Sequence, residues 1–112
     1  FIAGEDLSSA QFKFVTLESD GQVDLADSAG ENAIGVCIVG GTAGNAVTVT
    51  VSGSVMVTAG GTIAAGAAVQ TDASGDALTA ATGDVILGYA REAGVDGQII
   101  EIEMIQGGNL AA

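Results

Sequence analysis

Two stretches of this chain carry the same pattern of strand and turn residues. Ile34-Gly35-Val36, then Gly44-Asn45-Ala46-Val47-Thr48-Val49-Thr50-Val51, returns as Leu87-Gly88-Tyr89, then Gly97-Gln98-Ile99-Ile100-Glu101-Ile102-Glu103-Met104, at a constant offset of 53 residues. Nine positions separate the two glycines in each copy, and Gly30 meets Gly83 at the same offset. One residue slips further upstream, where Val15 to Gly21 (VTLESDG) aligns with Val69 to Gly75 (VQTDASG). A duplicated strand–turn–strand unit describes a chain built for shape. Neither copy holds a reaction centre, so the pattern points to packing or assembly.

The segments between turn signals read as strands, which makes the chain all-β. Phe12 to Leu17 is one strand, Ser19-Asp20-Gly21-Gln22 its tight turn, and Val23 to Leu25 the return. Ala33 to Val39 is a buried strand. In Ala46 to Val51, alternation puts Val47, Val49 and Val51 on one face and Thr48 and Thr50 on the other. Gly53 turns the chain into Val55-Met56-Val57. Gly60-x-x-Ile63-x-x-Gly66 reads as a short strand between glycine bends, and Ala64 to Ala68 as loop. The second copy runs through Ala68-Val69-Gln70, the hairpin Ala73-Ser74-Gly75-Asp76, and Val85 to Arg91. It closes with Gln98 to Ile105, where Ile100, Ile102 and Met104 face in and Glu101 and Glu103 face solvent. Residues 12–106 therefore form one β domain with two similar halves, about 15–51 and 69–104. Residues 1–11 lack a strong period and are expected to be an arm, and residues 107–112 a tail.

The chain has 112 residues, 18 of them glycine, with no proline, no histidine and only 4% aromatics. Its core must be filled by Val, Ile, Leu and Ala. At about 25 cal/mol per Å² of apolar area such a thin core stabilises weakly, and burial against a further subunit or a partner adds to it. Net charge is −12, from 14 acids against Lys13 and Arg91. That balance excludes nucleic acid and anionic membrane as partners, since both are met through Lys and Arg. It keeps an apolar chain soluble. No acid lies between Asn32 and Thr71, and this uncharged block is expected to be buried between subunits. Val47, Val49, Val55 and Val57 within it are the candidate interface residues. Arg91 is either a strand-end surface charge or the partner of a carboxylate on a neighbouring subunit.

Chemistry finds little purchase. Without histidine the usual group titrating near neutrality is missing, and a Ser, Thr or Cys nucleophile has no adjacent base. No catalytic residue is assigned, and the chain is read as not an enzyme. Cys37 is the single cysteine and reads as a small core residue, with no internal disulfide and no cysteine metal framework. Asp20, Asp24, Asp27 and Glu31 offer hard oxygens but lack the spacing of a calcium loop, so no metal is assigned. Gly40-Gly41-Thr42-Ala43-Gly44 lacks the lysine and following helix of a phosphate loop, so no cofactor is expected. No signal peptide or apolar run of 18 residues is evident, and the chain begins at Phe1, which is either processed or not the natural start.

The run Gly53-x-Val55-x-Val57-x-Ala59-Gly60-x-x-Ile63-x-Ala65-Gly66-x-x-Val69-x-x-Asp72-x-x-Gly75, with the duplication around it, resembles the small capsid decoration (cement) proteins of tailed bacteriophages. The resemblance covers roughly Val15 to Met104. It implies a small β-barrel-like domain of the β-clip or β-tulip kind, assembled as homotrimers on the major capsid protein at the outer surface of the virion, and made in the host cytoplasm. It carries over no catalytic residue. It makes the N-terminal segment Phe1, Ile2, Ala3, Gly4, Glu5, Asp6 and Leu7 the candidate capsid contact. The rival readings are a β-rich tail-fibre or adhesin module and a sugar-binding module, the latter poorly supplied with aromatics in Tyr89, Phe1, Phe12 and Phe14.

Overall fold

A computed structural model describes residues 1–106 together with Leu110 and Ala111. Among these residues the chain is all-β, in two open antiparallel sheets. The first repeat supplies β1 (Lys13–Leu17), β2 (Val23–Leu25), β3 (Gly35–Val39) and β4 (Thr48–Thr50), in the order β2-β1-β3-β4. The linker strand β5 (Gly53–Thr58) leads into β6 (Ala68–Thr71), β7 (Ala77–Thr79), β8 (Gly88–Ala90) and β9 (Ile99–Met104). The second sheet has the order β5-β9-β8-β6-β7, so β6 to β9 repeat the arrangement of β1 to β4.

The duplication holds at the level of register. Val15 faces Gly35 as Val69 faces Gly88, and Val36 faces Thr50 as Tyr89 faces Glu103. It also explains two glycines. A Cβ on Gly35 would lie 2.2 Å from the Thr50 carbonyl oxygen, and one on Gly88 2.3 Å from that of Glu103. Both positions need a residue with no side chain because neighbouring backbones press against them. A third equivalence is broken in residue type. Gly66 is left-handed at φ 83°, and its counterpart is Phe12, left-handed at φ 63°; both donate a 2.7 Å hydrogen bond, to Ala90 and Cys37 respectively. A bulky residue rarely adopts that conformation. It also explains why β1 begins at Lys13, one residue later than the periodicity predicts.

The first eleven residues are extended but do not project as a free arm. Ala3, Leu7 and Ala10 are buried. Ala3 N–H donates to Asn45 O, Gly4 N–H to Val23 O and Leu7 N–H to Gly41 O, at 2.8–2.9 Å. The second repeat has the same bonds in Ala59 to Gln98, Gly60 to Ala77 and Ile63 to Gly94. The segment fills the first repeat as 59–63 fills the second. It also shortens β4, because Ala46 and Val47 pair with Ile2 and Phe1. Single bridges of Ala3 to Val23 and Ala59 to Ala77 tie each sheet's far strand to this segment and to its counterpart 59–63, and the barrel-like domain stays open as two sheets. Of the expected tail, Leu110 bridges Val85, and Gly107, Gly108, Asn109 and Ala112 lie outside the described residues.

Two apolar clusters follow from this repetition. The smaller holds Ala3, Leu7, Val15, Val23, Cys37 and Val47, with Ala10. Its counterparts Ala59, Ile63, Val69, Ala77, Ala90 and Ile100 sit in the larger cluster. That cluster also takes Phe14, Ala26, Ala33 and Val36, from the other face of the first sheet. The halves are joined by Phe14 N–H to Gly75 O and Thr58 N–H to Phe12 O, both 2.8 Å, and by the ion pair of Lys13 with Asp76.

Gly35→Ala and Gly88→Ala are each expected to cost about 2–4 kcal/mol, because the clash is with backbone and only strand separation relieves it. Urea denaturation checks this, and near-equal losses at the two sites are the signature of the duplicated close approach.

Candidate functional surface

The candidate contact segment divides by exposure. Phe1 and Ile2 are 47% and 40% exposed, and Gly4, Glu5 and Asp6 are exposed. Ala3 and Leu7 are at most 1% exposed and belong to the first repeat's core. They are therefore structural in the folded chain. The Glu5 carboxylate accepts from Leu25 N–H at 2.8 Å, which holds the turn against β2. Beside it lies an open groove of about 440 Å³, bounded by Glu5, Leu7, Ala10, Lys13 and Leu25 on one side and Ala73 and Ser74 of the second repeat on the other.

Of the four valines expected at a subunit interface, Val47, Val55 and Val57 are buried within the chain and Val49 is half-buried. Val55 and Val57 point into the larger cluster, Val47 into the smaller, and Val49 packs against the latter. The lack of charge from Asn32 to Thr71 partly reflects this internal role. Alternation identifies a buried strand face without saying whether the neighbour is the same chain or another. Arg91 is half-exposed and pairs within its own chain, with Glu101 at 3.6 Å and Glu103 at 3.0 Å. Exposed pairs of this kind contribute little to stability.

Cys37 is fully buried, and burial pushes its thiol up, away from the reactive thiolate. Of the carboxylates weighed as calcium ligands, Glu31 accepts from Asp27 and Ser28 N–H at 2.8 Å and Asp20 from Gln22 N–H at 2.9 Å. They close turns. No group of three His, Cys, Asp or Glu side chains among the described residues has the geometry to hold a metal ion. Asp24 stands apart. Its Oδ1 is buried without a hydrogen-bond partner among the described residues, and a Cβ on Gly4 would meet it at 2.3 Å. Burial first, then repulsion from Glu5, Glu18, Asp20 and Asp27, raises its pKa above the ordinary carboxylate value.

This rigid double repeat, without a catalytic constellation among the described residues, matches a known kind of protein. A family model described as phage cement protein matches residues 7–103. The chain belongs to the phage cement protein family. Among solved structures, the head fiber gp8.5 N base of bacteriophage phi29 is similar. It superposes with a TM-score of 0.74 at 17% identity, over 93% of this chain and 89% of that one. At that identity the likeness is one of fold. No curated protein matches the chain. As a phage cement protein the chain is a structural component of a phage head.

Two predictions follow from these placements. Leu7→Ala is expected to cost about 2–4 kcal/mol, the range for a buried leucine, where a free arm would lose nothing; thermal or urea unfolding distinguishes the two. Asp24 is raised in the folded state, so its contribution to stability is present below pH 3.8 and lost as pH rises through the folded value. Asp24→Asn should therefore raise the melting temperature at pH 7. The difference from the parent should shrink as pH falls below 3.8, read by melting across a pH series.

Proposed function

We propose that this cement protein binds the outer surface of a phage head, as homotrimers on the major capsid protein, and stabilises the shell. The observation that carries the reading is the family match across residues 7–103. The physics supports it. A shell presents many identical sites, and subunits that dock together convert weak single contacts into strong combined binding. A brace must also transmit force without yielding. Two cores built from equivalent positions, joined by backbone hydrogen bonds, make a stiff unit from small side chains.

Within the contact segment, Phe1, Ile2 and the turn Gly4 to Asp6 are the parts that reach a shell without unfolding the first repeat. The fold shared with a head fiber N base supports a place on a head over a tail-fibre or adhesin role. The acidity of the chain suits a partner surface carrying Lys and Arg, with attraction acting over about 8–10 Å at physiological salt.

The test is co-sedimentation of purified protein with undecorated heads of the same virus, read as stoichiometry on a gel. Saturable binding at a fixed ratio to the major capsid protein is the expected result, with a lower Kd at low salt. Folded protein that leaves mature heads bare would overturn the reading in favour of a fibre or adhesin module. The stabilising role is checked separately, by heating decorated and bare heads and following DNA release, with decorated heads expected to hold at higher temperature.

A further inference from the structure

The two repeats allow a comparison within one molecule: the same backbone surface, read twice with different residues. On the β8–β9 side of the second repeat the surface carries Glu92, Asp96, Glu101 and Glu103 around the single Arg91. The strand register and the constant offset of 53 residues together give each a counterpart in the first repeat. Val36 pairs with Thr50 as Tyr89 pairs with Glu103, and Cys37 with Val49 as Ala90 with Ile102. Carried along the strands, Glu92, Asp96, Glu101 and Glu103 become Val39, Ala43, Thr48 and Thr50, and Arg91 becomes Ile38. Every charge on that side has been replaced by an uncharged residue. Ile38 and Thr50 are half-buried, Ile38 against the larger cluster, but the rest of the side stays open: Val39 is 58% exposed, and Ala43, Ala46 and Thr48 are exposed. Val39 stands directly opposite Thr48, and Ala46 shares their side of the strand two residues on. The first repeat's own acids gather elsewhere, on the β1–β2 side, where Glu5, Glu18, Asp20 and Asp27 surround Asp24.

We propose that this neutral β3–β4 side of the first repeat, centred on Val39, Ala43, Ala46 and Thr48, is the surface on which a second copy of the chain docks. The choice of occupant follows from charge. Each copy carries −12, so two copies repel wherever carboxylates face one another. Like charges juxtaposed across an interface cost several kcal/mol, and a charge-free face is where identical acidic chains come closest. A partner of opposite sign would be met by the carboxylate-bearing surfaces instead. The inference rests on the reading that copies assemble side by side on a head. It goes beyond that reading in naming the surface, which is not the valine set expected from alternation.

The second repeat supplies the test variant. Val39→Glu, Ala43→Asp and Thr48→Glu together transplant the acids that the same backbone already carries at Glu92, Asp96 and Glu101. Sedimentation equilibrium of the full chain should give an oligomer for the parent and a monomer for the triple variant, with unchanged circular dichroism. The single variant Thr48→Glu, on an exposed side chain, should weaken self-association at least tenfold at low salt and recover part of it in 0.5 M salt, about where screening shortens the reach of charge to ~4–5 Å. A parent that is monomeric throughout, or variants that keep the parent's mass, would overturn the proposal. Heads are then added to both proteins. Variants that stay oligomeric but lose head binding assign the face to the shell and also overturn it. If parent and variant differ in mass as expected while neither binds heads, the surface stands and the head-binding reading falls.

Discussion

Burial of the first sheet's second face against the second repeat is the contact on which the rest of the structure depends. A unit of about fifty residues with aliphatic side chains no larger than leucine is too small to be stable by itself. Each repeat therefore encloses a small cluster on one side of its sheet. The first also lends Phe14, Ala26, Ala33 and Val36 to the cluster of the second. The equivalent row in the second repeat, Ala68, Tyr89 and Glu103, is partly open to solvent. The same backbone is thus dressed as an inner layer once and as an outer layer once, as expected where stacked repeats end in a more polar cap.

That division of labour explains the distribution of charge. Carboxylates are absent from Asn32 to Thr71 partly because Val47, Val55 and Val57 are core. It does not explain the exposed stretch around Val39 and Thr48, where the second repeat carries Glu92, Asp96 and Glu101 at the positions matching Val39, Ala43 and Thr48. Acidity elsewhere has a visible cost in Asp24, whose carboxylate is partly buried among four like charges.

Much of the fold was legible because strand periodicity and turn glycines are local signals. The duplication located β1, β3, β6, β8 and β9 to within a few residues, and alternation assigned the inward faces of β9 correctly. The strand β7, Ala77–Thr79, is too short and too weakly β-branched to be read from its residues. It becomes visible only as the counterpart of β2. The N-terminal segment misled for a related reason. Ala3 and Leu7 are held by single backbone bonds to Val23 and to the loop 41–45, and such long-range bonds leave no period in the sequence. Alternation marked Val47, Val55 and Val57 as buried, but it reports burial and not the identity of what buries them, here the chain's own core.

The sequence by itself determined that the chain is all-β, that it is built twice on one plan, and that it is strongly acidic. Those properties follow from periodicity, repetition and net charge, which need no coordinates. Only the tertiary structure decided that Ala3 and Leu7 are core, that the two sheets stay open, and that the uncharged block divides into an interior and an exposed neutral side. Those outcomes depend on which segments meet across dozens of residues. Side-chain type constrains such encounters only through the space and hydrogen bonds that the assembled chain provides.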